Sequence, residues 1–247
     1  MKRLDQVLVE RGLCESREKA KRAIMAGRVR VNDQRARKPS QPVRAQDRVA
    51  MEAAERYVSR GGYKLEHALR AFALDVRGQT AVDVGASTGG FTDCLLQHGA
   101  RRVYAVDVGR GQLAWTLRQD PRVVVMERVN ARYVRPGDFP AGFEPVDLVV
   151  IDCSFISLRR ILPAAVALVR RGGRIVVLVK PQFEAGKAEA DRGGGVITDP
   201  AVHQRVLDEL RAFVRTLSGW TWRGETVSPL RGPAGNLEFL VLLENTT

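Results

Sequence analysis

Cysteine and histidine are both scarce in this chain, with three of each in 247 residues. Cys14, Cys94 and Cys153 are widely spaced and form no Cys-x-x-Cys pair. That count excludes a disulfide-stapled scaffold and a structural zinc site, so reduced thiols and no metal are expected. Long apolar runs are missing too. No segment approaches the roughly 20 uninterrupted apolar residues that a membrane-spanning helix needs. The stretch from Leu4 onward is amphipathic and lacks the apolar centre of a signal peptide. A cytoplasmic protein without a membrane partner is the expectation.

What the chain does carry is charge of one sign. Forty Lys and Arg face 28 Asp and Glu, for a formal charge of +12 and a pI near 10.3. Such a balance favours a polyanionic partner or an anionic membrane surface. Scattered surface arginines would give the same pI, so their placement has to decide. Hydrophobic residues make up 45% of the chain, enough for a real core in one large domain or a large one with a small appendage.

The N-terminal residues have their own texture. In LDQVLVERG, Leu4, Val7 and Leu8 fall at helical spacing and Gly12 supplies a stop. Ser16 is placed to cap a second helix, REKAKRAIMA, which presents Ala20, Ala23 and Ile24 on one face and ends at Gly27. Arg28 to Val31 alternates like a half-exposed strand before a turn at Asn32-Asp33. Arg17, Lys19, Lys21, Arg22, Arg28 and Arg30 crowd this short span and are candidate contacts to a polyanion. This order of residues resembles the S4-like RNA-binding module, with Asn-Asp where that module usually turns on Asn-Gly. Residues 39–55, with two prolines and many small or charged residues, read as a linker. The expected domains are therefore 1–56 and 57–247.

From Thr80 onward, short β-branched runs alternate with stretches long enough for helices. TAVDV, RVYAVDV, VVVME, DLVVID and RIVVLVK are the runs, and TWRGETV and EFLVLLE follow as a terminal antiparallel hairpin. This is the pattern of a doubly wound α/β sheet. Asp199 and Pro200 should open a helix between them.

The first strand leads into VDVGASTGGFTD. A dinucleotide site would use Gly-x-Gly-x-x-Gly so that the backbone can approach a pyrophosphate. Here Ser87 replaces the second glycine and Asp83 precedes the turn formed by Gly85, Gly89 and Gly90. A carboxylate there would repel a diphosphate but suits the ammonium of a methionine moiety. S-adenosylmethionine is favoured over NAD. Asp107, at the end of the next strand, stands where such folds bind a ribose diol. Asn130, beyond the third strand, is a candidate adenine contact, although amides in that position often fasten loops.

Ligands of open α/β sheets bind beyond the carboxyl ends of the strands. Asp152 ends DLVVID, Lys180 ends RIVVLVK, Lys64 lies on the helix entering the fold, and Glu238 begins the last strand. Two ammoniums and two carboxylates should meet beside the cofactor. With SRGGYKL, DVGASTGGFTD, DCSFISL, VKPQFE and GNLEF, they resemble the Lys-Asp-Lys-Glu tetrad of the FtsJ-like ribose 2′-O-methyltransferases. The whole chain, S4-like module included, resembles the TlyA family, also labelled haemolysin A.

That resemblance implies a Rossmann-like methyltransferase fold, a mostly parallel seven-stranded sheet, preceded by a small α+β S4-like domain. It implies ribosomal RNA or ribosomal subunits as partners and methylation at cytidine 2′-hydroxyls in 16S and/or 23S RNA. It also implies cofactor contacts from Asp83, Gly85, Ser87, Gly89, Gly90, Phe91, Asp107 and Asn130, and catalysis by Lys64, Asp152, Lys180 and Glu238. Lys180 is the expected base or alkoxide stabiliser, oriented by Asp152. Residues 182–198, glycine-rich and placed over the pocket, are expected to form a lid, with Lys187 and Arg192 touching phosphate. A non-catalytic ribosome-binding factor and a membrane-active haemolysin are the alternatives.

Overall fold

The computed structural model describes residues 1–52 and 55–247. They form two compact units, Met1–Arg56 and Tyr57–Thr247.

In the first unit, β1 (Lys2–Arg3) leads into α1 (Leu4–Glu10), and α2 (Arg17–Met25) follows. Ser16 caps α2, its Oγ accepting from the Lys19 amide at 3.3 Å. Strands β2 (Val29–Val31), β3 (Gln34–Arg35), β4 (Pro42–Val43) and β5 (Val49–Met51) complete the unit. Their order is β3-β2-β5, with β1 pairing β4 separately. Leu4, Leu8, Ala20, Ile24, Val29 and Val43 close one small core. Residues 39–55 are therefore not a plain linker: β4 and β5 lie within them, and Val43 is buried. Strands of two or three residues are too short for period-two alternation to register in sequence.

The second unit begins with α3 (Gly61–Ala71), then runs β6 (Thr80–Val84), α4 (Gly90–Gln97), β7 (Arg102–Asp107), α5 (Trp115–Arg118) and β8 (Val123–Glu127). After β9 (Val146–Ile151) come α6 (Leu162–Ala165), β10 (Val169–Val179), α7 (Pro181–Glu184), α8 (Lys187–Arg192), α9 (Pro200–Arg215), β11 (Trp220–Val227) and β12 (Phe239–Asn245). Asp199 caps α9, its Oδ1 accepting from the Ala201 amide. The seven-stranded sheet has the order β11-β12-β10-β9-β6-β7-β8. β6 through β10 are parallel, while β12 runs antiparallel between β10 and β11. After β6 the chain winds first to one side and later, through β9, to the other, so a topological switch point lies between β6 and β9.

Alternate residues of each strand enter different cores. Val82, Val149, Ile175, Val177 and Val241 pack with Leu162 of α6 and Leu207 and Leu210 of α9. Ala81, Val150, Val176, Leu178 and Leu240 pack with Leu65 and Leu69 of α3 and Leu95 of α4. Both faces of the sheet are thus covered by helices, which is why the central strands are apolar throughout. Among the described residues no helix is long and apolar enough to cross a membrane, and no group of His, Cys, Asp and Glu could hold a metal ion.

Candidate active site

Strand periodicity decides which polar residues meet. Positions 81, 150, 176, 178 and 240 face α3 and α4, so with a period of two residues 83, 152, 180 and 238 share that face at the strand ends. Register brings them level: Val84 pairs with Ile151, Val177 with Ile151, and Val179 with Phe239. α3 lies on the same face and adds Lys64. The five side chains line a single cleft of about 500 Å³, together with Ser59, Arg60, Ser154 and Arg231.

The quartet forms two ion pairs. Lys64 Nζ donates to Glu238 Oε2, with both side chains nearly closed to solvent. Lys180 Nζ lies 2.5 Å from Asp152 Oδ1 in an ion pair and donates to Ser154 Oγ at 2.9 Å. Buried ion pairs add little to stability compared with apolar residues of the same size, because desolvation offsets their attraction. Two such pairs side by side are better explained by chemistry than by folding.

Asp83 is fully buried. Its Oδ2 accepts from Thr92 Oγ1 at 2.7 Å, while Oδ1 has no partner among the described residues. Burial raises this carboxyl to about 7, against the opposing hydrogen bond from Thr92. A buried, half-satisfied carboxylate facing a cleft calls for a cation, and the ammonium of a methionine moiety is one. The donor set fits that group.

The glycine loop holds this carboxylate close to β9. Gly85 has φ +84°, and a Cβ there would lie 2.6 Å from the Asp152 carbonyl oxygen, so only glycine allows the two strand ends to approach across the switch point. Gly85, Ser87, Gly90 and Phe91 line the cleft with Asp83.

Three of the expected cofactor residues also pack or bond within the fold. Gly89 packs against Leu113 and Leu117, where a Cβ would collide with both. Asp107 fastens the loop, Oδ2 accepting from the Ser87 amide at 2.8 Å and Oδ1 from the Gly109 amide at 2.7 Å. Asn130 lines a separate depression with Arg128 and Tyr133, and its Oδ1 accepts from the Arg132 amide. That bond fastens its loop.

Sequence reading missed the residues that brace the site. Glu184 Oε1 accepts from the Leu158 amide at 2.7 Å and Oε2 from Ser157 Oγ at 2.6 Å, so it ties the loop after Asp152 to α7. Burial raises its carboxyl above the usual range. In that loop Phe155 has φ +64° and is 90% exposed, with its ring 5.1 Å from that of Phe183. An exposed ring offers a stacking face to a planar partner. The Cys153 thiol is pushed up to about 12 by burial and then by the charge of Asp152, which disfavours its thiolate. The glycine-rich segment after Lys180 contains α7 and α8 and is pinned at Ile197, whose amide donates to Asn236 Oδ1 at 2.9 Å. The side chains of Lys187 and Arg192 lie outside the described residues.

In the first unit most candidate RNA contacts are already engaged. Arg17 pairs with Asp5 at 3.0 Å, Lys19 with Glu15, Lys21 with Glu18 at 2.7 Å, and Arg30 with Glu52 at 2.6 Å. Asp5 is held down to about 2, first by its hydrogen bond from Arg3. Arg22 and Arg28 line one depression with Lys19 and make no ion pair among the described residues. Exposed pairs such as those of Lys19 and Lys21 are weak enough to be exchanged for phosphate.

A doubly wound sheet with a reversed last strand, an acid before its glycine loop and a charged quartet at the switch point defines a group-transfer enzyme whose cofactor is cationic at one end. Comparison with known families gives the particular lineage. The model for FtsJ-like methyltransferase matches residues 57–245, and that for the S4 domain matches residues 2–49. The 16S/23S rRNA (cytidine-2′-O)-methyltransferase TlyA of Mycobacterium tuberculosis is 47% identical over 99% of this chain and 90% of its own length. Hemolysin A of Brachyspira hyodysenteriae is 39% identical over 96% of this chain and 98% of its own length. A solved structure from Streptococcus thermophilus, provisionally called a hemolysin, covers 99% of this chain and 88% of its own with a TM-score of 0.74 and 47% identity. The chain belongs to the TlyA family of FtsJ-like methyltransferases.

Proposed function

We propose that this protein is an S-adenosylmethionine-dependent methyltransferase acting on ribose 2′-hydroxyls of ribosomal RNA, at cytidine in 16S and/or 23S RNA. One observation carries the reading: the pairs Lys64–Glu238 and Lys180–Asp152 share a cleft with a fully buried carboxylate, Asp83, one oxygen of which has no partner among the described residues. The 16S/23S rRNA (cytidine-2′-O)-methyltransferase TlyA of Mycobacterium tuberculosis is similar over nearly the whole chain.

The residues divide the work. Asp83 receives the cofactor's ammonium, and Gly85 and Gly90 leave room for its chain to pass close to the backbone. When bound, S-adenosylmethionine supplies an electrophilic methyl group on a positively charged sulfur. A ribose hydroxyl is a weak nucleophile, so the protein must take up its proton or stabilise the negative charge that develops on its oxygen as the methyl group is transferred. Lys180 Nζ does this, as a neutral amine accepting the proton or as an ammonium beside the developing alkoxide, while Asp152 and Ser154 fix its position. Lys64 and Glu238 orient the hydroxyl from the other side. Phe155 offers its exposed ring to the base. The S4 unit, through Arg22 and Arg28 above all, adds affinity for phosphate. Ribosomal RNA would be met in the cytoplasm.

The test is transfer of labelled methyl from S-adenosylmethionine to purified ribosomal subunits, followed by mapping of 2′-O-methyl sites. Label at cytidine ribose is the expected result. Label on a base, or none on either subunit, would overturn the proposal. Tight cofactor binding without any transfer would instead favour a ribosome-binding factor.

A further inference from the structure

Two guanidinium groups in the active-site cleft take no part in the quartet. Arg60, which immediately precedes α3, donates from Nη2 to the Arg231 carbonyl at 2.8 Å, and Arg231 donates from Nη1 to the Gly235 carbonyl at 3.0 Å. Both line the cleft with Lys64, Lys180 and Glu238. Both are exposed, and neither meets a carboxylate among the described residues. A guanidinium carries five N–H donors in a rigid fork, so one bond to a carbonyl leaves most of each fork unused.

The charge balance points to the missing partner. Lys64 cancels Glu238 and Lys180 cancels Asp152, and Asp83 is assigned to the cofactor's ammonium. The two arginines remain as uncompensated positive charge beside the quartet. Their position is stiffly held. The Gly232 amide donates to the Asn236 carbonyl at 2.9 Å, and Asn236, only 1% exposed, donates from Nδ2 to the Gly195 carbonyl at 2.8 Å. Gly232 follows Arg231 and lies so close to the quartet that a Cβ there would sit 2.6 Å from Glu238 Oε1.

We propose that Arg60 and Arg231 form a clamp for the phosphodiester attached 3′ to the acceptor ribose. The inference rests on the ribose 2′-O-methylation reading above. In RNA the 2′- and 3′-oxygens sit on adjacent ring carbons, so a cleft that takes the 2′-hydroxyl must also accommodate the 3′-phosphate. Guanidinium forks match phosphate oxygens in geometry and charge. The clamp selects a nucleotide inside a chain over a nucleoside or a 3′-terminal residue.

The test compares wild type with Arg60→Met, Arg231→Met and Arg231→Lys in steady-state methyl transfer to ribosomal subunits over a series of KCl concentrations. Each Met variant should raise KM for RNA about tenfold with a smaller change in kcat. The slope of log(kcat/KM) against log[KCl] should become shallower by about 0.7 to 1 in each. Arg231→Lys should keep the wild-type slope. Unchanged S-adenosylmethionine affinity by calorimetry establishes that a variant is folded, and if Arg60→Met loses it, Arg231→Met decides alone. A wild-type slope in the folded Met variants overturns the clamp. Absence of transfer by the wild type overturns the ribose reading instead.

Discussion

Asp83 makes the strongest quantitative prediction, because one fully buried carboxyl couples folding, pH and cofactor binding. Carrying it from 3.8 to about 7 corresponds, at about 1.36 kcal/mol per pH unit, to about 4 kcal/mol. The native value lies above the unfolded one, so between them the native state keeps a proton that the unfolded chain has released. Stability contributed by this group therefore falls as pH rises toward about 7 and is flat beyond. Asp83→Asn removes that slope. It also leaves an amide N–H without a partner, at a cost of about 1–3 kcal/mol, so the net gain above pH 7 is about 1–3 kcal/mol. Urea unfolding of both forms without cofactor, from about pH 5 to about pH 8, measures the difference directly. The variant should become the more stable form, relative to wild type, by about 2–3 kcal/mol more at the upper end than at the lower. Cofactor binding should show the converse. Only the ionised carboxylate attracts an ammonium, so wild-type affinity should weaken by up to about tenfold per pH unit below about 7. Asp83→Asn should bind weakly at every pH. A stability difference between the two proteins that does not change with pH would refute the reasoning.

Other substitutions probe the quartet and its frame. Lys180→Ala should abolish transfer of labelled methyl to ribosomal RNA while calorimetry still detects cofactor; unchanged transfer would exclude Lys180 from catalysis. Lys64→Met leaves Glu238 buried without its partner and should destabilise the protein by about 3–5 kcal/mol, whereas Lys64→Met with Glu238→Leu should restore most of that stability and none of the activity. A double variant no more stable than the single one would show that the pair supports folding. Gly85→Ala adds a Cβ 2.6 Å from the Asp152 carbonyl oxygen at φ +84°, so it should lower the unfolding free energy by at least about 1–3 kcal/mol and abolish cofactor binding. Wild-type binding by that variant would mean the strand ends separate without consequence.

Much of this protein is legible in its residues because strong local signals agree. The β-branched runs from TAVDV to RIVVLVK become β6 through β10, and Ser16 and Asp199 cap their helices as their positions suggest. The acid before the glycine loop is visible at once, since side-chain type there needs no tertiary knowledge. Residues 39–55 read as a linker because strands such as β4 and β5 are defined by their pairing partners and hardly at all by their own pattern. Asp107 and Asn130 illustrate a related limit. Their chemistry allows a ligand contact and a loop bond alike, and only the folded chain shows the bonds they accept from the loop amides of Ser87, Gly109 and Arg132.

The order of strands and helices, the excess of positive charge and the kinds of side chain at each strand end follow from the amino-acid sequence, because each is encoded within a few neighbouring residues. The pairing of Lys64 with Glu238 and of Lys180 with Asp152, the isolation of Asp83, and the placing of Arg60 against the Arg231 loop belong to the tertiary structure. The partners in each ion pair are far apart along the chain. Only sheet register, the two-residue period and the docking of α3 bring them to one face at hydrogen-bonding distance.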